Sequence, residues 1–200
     1  MSGMVWDYFH YANLARKGLI SFKNGRITVT GLRVFLVDVD SLQGLSDRLK
    51  EKFGEETGAK AVYDAGRGAG SRATRAHRRF SKKSGEEQAR YMAKMASGAG
   101  WGRIRVLDAS PDGEIVVEDS PFRRRGAGRP SCDFLRGFLA GAASYIYRRR
   151  IDCVETECVS AGSKKCRFVL GSKRALLRNA KLRKYRSQLV SQPPSRGGTK

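Results

Sequence analysis

The sequence predicts a chain of mixed α and β elements, on three observations. Alternating apolar residues flank turn signals at Asn24-Gly25 and at Pro111-Asp112-Gly113, which reads as two hairpins. Three other segments carry apolar residues at helical spacing instead. The 200 residues, 40% of them hydrophobic, suffice for one sizeable core with some terminal extension. Collagen, a coiled coil and a wholly disordered chain are excluded. No apolar run approaches the roughly 18 to 20 residues needed to cross a bilayer, and the N-terminus lacks the basic, apolar and small-residue order of a signal peptide. A soluble, cytoplasmic protein is expected.

Along the chain, Ile20, Phe22, Ile27 and Val29 build the first hairpin, and residues 34–37 read as a strand or buried segment. Leu45, Leu49 and Phe53 predict a helix over 42–54, capped by Ser41 or Ser46 and ended by Gly54. Residues 58–80 space Val62, Ala65, Ala69, Ala73 and Phe80 as a helix. Its glycines at 66, 68 and 70 would weaken it unless another element packs closely on that face. The GxGxG string there lacks the βαβ context of a dinucleotide loop. A third helix, 84–97, opens at Ser84 with Glu86 and Glu87 in its first turn and ends at Gly98.

The second hairpin follows, then a loop of composition RRRGAGRPS. A largely buried helix over 131–148 carries Phe134 or Leu135, Phe138, Leu139, Ala142 and Ile146. IDCVETECV and KKCRFVLG read as a strand pair around Gly162. Beyond them, Leu182, Tyr185 and Leu189 lie among basic residues as an amphipathic helix, with QPPSRGGTK unfolded. The expected division is an N-terminal segment 1–17, a domain 18–170 and a basic helical and disordered tail 171–200.

Charge is unevenly placed. Of the net +21, +12 lies in residues 158–200, which hold no acid, and +9 in residues 1–157. Such a field attracts nucleic acid, anionic lipid or an acidic protein. The polyanion-binding candidates are Arg75, Arg78, Arg79, Lys82 and Lys83, then Arg123, Arg124 and Arg125, then Arg183, Lys184 and Arg186 of the tail. Enzymatic signals are poor. His10 and His77 are the only histidines, His77 reads as part of a solvated basic face, and no GxSxG or P-loop motif occurs.

All four cysteines fall within residues 132–166. Without an export signal a disulfide framework is not expected, and metal binding is the better reading. Cys132, Glu155, Cys158 and Cys166 offer three thiolates and a carboxylate, which suit tetrahedral Zn²⁺. That closed shell leaves no place for water, so the role is structural. On a regular strand residues 155 and 158 point to opposite faces, so a bulge must intervene; Glu157 or Cys153 substitutes if the bend lies elsewhere. The alternative is four buried free thiols behaving as small apolar residues.

The run GWGRI, LDASPDGEIVVEDSPF, CDFLRGFLAGAASYI and VETECVSAGSKKCRFVL resembles the 4-vinyl reductase domain. That family's pattern has a GWG strand start, an Asn/Asp-Ser-Pro strand end, a Cys-x-x-x-x-Gly helix opening and a closing E-x-x-C-x-x-x-G-x-x-x-C-x-F. YDAGRGAGSR is similar to its early Gly-rich helix, and the resemblance spans roughly residues 18 to 170. It implies an α+β fold with helices packed on one face of a mostly antiparallel sheet and a zinc-stapled C-terminal strand pair, shared with the sensor domains of aromatic-responsive activators and distantly with TRAPP-complex subunits. It implies zinc on Cys132, Glu155, Cys158 and Cys166, which repeat the relatives' separations of 23, 26 and 34 residues from the first cysteine. Members commonly dimerise, so a homodimer is among the partners it allows.

The relatives' phenol-binding His and Trp fall on or near Lys83 and Pro111, so those contacts are not reproduced. No AAA+ ATPase or helix-turn-helix accompanies the domain, so the chain by itself is not an activator of that architecture. A pocket between helices and sheet is expected, with Tyr63, Trp101, Phe134 and Phe138 as candidate lining residues. The resulting expectation is a non-catalytic zinc domain binding a small hydrophobic ligand or a protein partner, its basic tail on a polyanion. The alternatives are an RNA- or DNA-binding protein on the same scaffold and a protein related to tetrapyrrole vinyl reductases.

Overall fold

The computed structural model describes residues 12–124 and 127–189. Strands β1 (Ile20–Lys23), β2 (Arg26–Val29) and β3 (Leu32–Val34) form a small antiparallel meander. Asn24 and Gly25 both take positive φ in its first turn, as a two-residue hairpin loop requires. The strand expected over 34–37 stops at Val34. Because the second turn starts β3 at Leu32, Val34 already meets Ile27 near the start of β2 and the pairing partner runs out. Phe35, Leu36 and Val37 are left exposed.

Helix α1 (Val39–Phe53) begins three residues before the expected 42 because Asp38, rather than Ser41 or Ser46, caps it. Its carboxylate accepts from the Ser41 N–H at 2.8 Å and the Ser41 hydroxyl at 2.6 Å. Gly54 ends the helix in a positive-φ conformation. Leu45 and Phe53 face solvent, so only part of the expected apolar stripe is used.

Helix α2 (Glu55–Arg78) crosses α4 (Asp133–Tyr147) in the molecule's most extensive helix pairing. The buried face of α2 is Val62, Tyr63, Gly66, Gly70, Thr74 and His77, so the expected stripe of Ala65, Ala69, Ala73 and Phe80 is rotated. The glycines set that face. A Cβ at Gly66 or Gly70 would stand 2.2 or 2.1 Å from the carbonyl oxygens of Phe134 and Phe138. Gly137 and Gly141 of α4 return the arrangement, with Cβ positions 2.0 Å from the oxygens of Tyr63 and Arg67. Both backbones therefore approach within Cα–H···O range, and only paired glycines at i and i+4 on both helices permit it. Phe80 lies past the helix end and is exposed. His77 is buried and sits edge-on to Tyr91 rather than on a solvated basic face.

Helix α3 (Gly85–Gly98) follows, and then β4 (Arg103–Asp108) and β5 (Glu114–Glu118) form the second hairpin. After α4 come β6 (Asp152–Glu157) and β7 (Cys166–Gly171), giving a fully antiparallel sheet of order β4-β5-β7-β6. Period-two alternation divides its faces. Ile115, Val117, Cys153, Phe168 and Leu170 point into the main core with Leu135, Leu139 and Ala143 of α4.

Val154 points to the other face, where Leu176, Leu182 and Leu189 cover it. The segment carrying those leucines is a short helix α5 (Lys173–Arg178) and a 3₁₀ stretch, Ala180–Gln188, rather than one amphipathic α-helix. Expectations for QPPSRGGTK and for Arg125 lie outside the described residues. No helix among the described residues is long and apolar enough to cross a membrane.

Candidate metal centre and apolar clefts

Four ligating side chains converge where α4 begins against the β6–β7 hairpin. One ligand atom each of Cys132, Glu155, Cys158 and Cys166 lies within 4.8 Å of all the others, and each residue is at most 2% exposed. Cys132 occupies the N-cap position of α4, with its thiol turned to the cluster instead of capping. A register shift between Glu155 and Glu157 is the required bulge, and it brings Glu155 and Cys158 to one side. Glu157 turns outward to Arg167, and Cys153 stays in the apolar core outside the group. Cys158 leads into a 3₁₀ turn (Val159–Ala161) that ends at Gly162. Gly162 is left-handed with φ 93°, which returns the chain to Cys166.

The spacing suits one tetrahedral ion. Zinc–sulfur bonds of about 2.3 Å at the tetrahedral angle put sulfurs about 3.8 Å apart. The Cys132–Cys166 and Cys158–Cys166 separations are 3.7 and 4.0 Å, and no disulfide links any of the four cysteines. Glu155 Oε1 is buried with no hydrogen-bond partner, an orphaned acceptor that a cation would satisfy. The Val159 N–H reaches Cys166 Sγ at 3.5 Å. Ser160 Oγ accepts from the Arg124 N–H at 2.7 Å and meets Ser131 Oγ at 2.6 Å, sewing the Cys158 turn to the approach to Cys132.

Electrostatics make the same point. Hydrogen bonding with Cys158 and Cys166 raises the Cys132 thiol well above its ordinary range, and burial raises the Glu155 carboxyl. Bonds from Cys132 and Cys166 pull the Cys158 thiol down. Unaided, the pocket tolerates one sulfur anion; a buried cation lets several donors ionise together. The donor set therefore fits a metal ion.

Of the expected lining residues, Trp101, Phe134 and Phe138 are brought together. Trp101 lies 4.3 Å from Phe138, 6.0 Å from Phe134 and 5.6 Å from Phe122, ring centre to ring centre. Tyr63 stands apart. Its hydroxyl reaches Asp152 Oδ1 at 3.0 Å, its ring lies under the Arg136 guanidinium, and Arg67 bonds the same carboxylate at 3.2 Å. Phe122 went unnoticed in the sequence, since it sits in a loop without periodicity.

The aromatic group separates two clefts. One, about 40 Å³, lies between α3, α4 and the β4–β5 hairpin and is lined by Met92, Ala93, Ile104, Phe138, Ala142 and Leu170. The other, about 110 Å³, lies between α1, α2 and the start of α4, beside Leu42, Leu49, Val62 and Phe134.

The basic candidates are spread over the surface. Lys83 pairs with Glu87, Arg123 with Asp119 and Arg124 with Asp47. Arg75, Arg79 and Lys82 near the end of α2, and Arg183, Lys184 and Arg186 on the 3₁₀ segment, are exposed, while Arg78 is half-buried.

Residues 114–172 match the model of the 4-vinyl reductase domain family. No curated protein matches the sequence. Among solved structures, the phenol-responsive sensory domain of the transcription activator PoxR, determined with phenol, superposes with a TM-score of 0.72 at 20% identity, over 90% of this chain and 96% of that one. A vinyl-4-reductase family protein from Methanocaldococcus jannaschii gives 0.48 at 18% identity, over 69% and 83%. A trafficking protein particle complex subunit 3 from Naegleria fowleri, covalently bound to palmitic acid, gives 0.49 at 15% identity, over 66% and 93%. At this identity the sensory-domain match establishes the fold. The matched segment spans β5, α4, β6 and β7 with all four members of the cysteine–glutamate group, and by it the chain carries a 4-vinyl reductase domain.

Proposed function

We propose that this is a non-catalytic zinc domain, with residues 18–170 as its working unit, that binds a small hydrophobic molecule between α3, α4 and the β4–β5 hairpin. One zinc ion on Cys132, Glu155, Cys158 and Cys166 supplies a fixed cross-link between the helix start and the terminal hairpin, with no open position for water. The observation that carries the ligand reading is the enclosed, apolar cleft next to Phe138 and Trp101. The solved sensory domain of the same fold is described with phenol. At about 40 Å³ the cleft is smaller than the roughly 150 Å³ that admits benzene, so a ring enters only as α3 moves outward.

Organic extraction and mass spectrometry of the purified protein tests this reading, together with titration of Trp101 fluorescence by toluene in a Trp6→Phe background. Ala93→Phe, which fills the cleft from α3, is expected to weaken binding at least tenfold while keeping the zinc. Equal affinity in the variant and the parent contradicts the site.

Two further observations support macromolecular contacts. Phe35, Leu36 and Val37 with Leu45 and Phe53 leave apolar surface exposed, which favours a protein partner, a second copy of the chain included. Arg183, Lys184 and Arg186 have no acidic partner among the described residues, which favours a polyanion on the tail. Binding to duplex DNA and to RNA at two salt concentrations tests the latter. Affinity should fall steeply with salt, and no binding at low salt removes it.

A further inference from the structure

Strand β6 is the open edge of the sheet and carries Glu155, the one oxygen donor of the metal group. Glu155 turns its backbone N–H and C=O to that open edge, where no strand lies. Gln188 fills the place. Its Oε1 accepts from the Glu155 N–H at 2.8 Å and its Nε2 donates to the Glu155 carbonyl at 2.9 Å. A primary carboxamide carries one donor side and one acceptor side, as a peptide unit does, so a single side chain replaces a neighbouring strand at this residue. Asparagine, one methylene shorter, has less reach from the same backbone.

The remainder of the segment fixes Gln188. Leu182 and Leu189 are buried on Val154, and the Tyr185 hydroxyl donates to the Thr156 carbonyl at 2.7 Å. The guanidinium of Arg136 donates to the backbone carbonyls of Cys153 and Gln188 and, at 3.1 Å, to Asp133 Oδ1. Arg136 is 3% exposed and lies one turn after Cys132. It therefore joins the helix start that holds a thiol, the strand that holds the carboxylate and the strap that braces this strand.

We propose that residues 173–189 act as a strap over β6 in which Gln188 is the positioning residue for Glu155, holding the bulged strand in the register that aims the carboxylate at the metal. The proposal rests on the metal-site reading above. The three thiols depend on other supports, namely the helix start and the 3₁₀ turn, so the strap acts on the oxygen donor alone. The feature that favours a positioning role over general bracing is that both bonds fall on the ligand residue's own peptide groups. Loss of a group that orients a metal ligand typically costs about 10- to 100-fold in affinity.

The test compares the full chain with Gln188→Ala and with Tyr185→Phe, which removes a strap bond without touching Glu155. Cobalt(II) replaces zinc to make the site visible. For Gln188→Ala the d–d bands are expected to shift as the carboxylate is lost while sulfur-to-cobalt charge transfer persists, and cobalt should leave to a chelator at least tenfold faster. Tyr185→Phe keeps the parent spectrum and rate. An unchanged spectrum and rate in Gln188→Ala overturns the proposal, as do equal changes in both variants, which would indicate bracing only. If the parent itself takes up no cobalt, the metal reading fails. The strap is then judged by amide exchange of Glu155, which Gln188→Ala must deprotect at least tenfold relative to Tyr185→Phe.

Discussion

Valine at Gly137 or Gly141 is expected to abolish folding, with a cost of about 4 kcal/mol or more, because the new Cβ meets backbone and not a yielding side chain. The clashing atoms are the carbonyl oxygens of Tyr63 and Arg67, each 2.0 Å from the Cβ position and each held in the hydrogen bonds of α2. Relief requires the two longest-contacting helices to part, and the sheet-facing side chains of α4 would lose their packing with them. Gly68→Ala on the same helix is the control. Its nearest neighbour is the flexible Arg72 side chain, so alanine should leave stability unchanged or raise it by up to about 1 kcal/mol. Urea denaturation of the three variants checks the contrast, and a folded Gly141→Val with parental stability would falsify the close helix crossing.

Cys166→Ala is expected to lose the metal and lower the melting temperature by about 10 °C or more, since loss of about 4 kcal/mol shifts a domain of this size by roughly 2 to 4 °C per kcal/mol. The loss is large because the ion joins chain segments that are otherwise held only through packing: the start of α4, the bulge of β6 and the start of β7. Removing one donor also leaves the remaining anionic donors buried without compensation. Cys153→Ala provides the comparison within the same strand pair. That thiol is fully buried among apolar neighbours and its ionisation is strongly opposed by burial, so alanine there should keep the metal and cost about 1 to 2 kcal/mol for the small cavity. Protons compete with the ion for thiolate and carboxylate alike, so affinity should fall steadily as pH falls below neutrality. A chelator competition across pH 5–8 measures that slope.

The hairpins and the buried helix were legible because their signals are local. Asn24-Gly25, Pro111-Asp112-Gly113 and the spacing of Phe138, Leu139, Ala142 and Ile146 each report the conformation of their own neighbourhood. The need for a bulge near Thr156 was legible too, since alternation along a strand and convergence on one ion conflict by simple parity. The face of α2 was not, because a stripe of alanines looks more apolar than a stripe of glycines, although it is the glycines that touch α4. The end of β3 at Val34 follows from strand pairing and the start of α1 from a cap one turn earlier than the serines, neither of which an apolar run reveals. The strap on β6 left no trace in the sequence. Gln188 acts through a contact 33 residues away in the chain, and a glutamine among arginines has no periodicity to announce it.

Metal content of the purified chain, combined with X-ray absorption at the metal edge, tests the account most directly. The expected result is one zinc per chain with three sulfur neighbours near 2.3 Å and one oxygen or nitrogen neighbour near 2.0 Å, reduced to two sulfurs or lost altogether in Cys132→Ser. A metal-free protein of full stability, or a zinc shell unchanged by removal of Cys132, would contradict it.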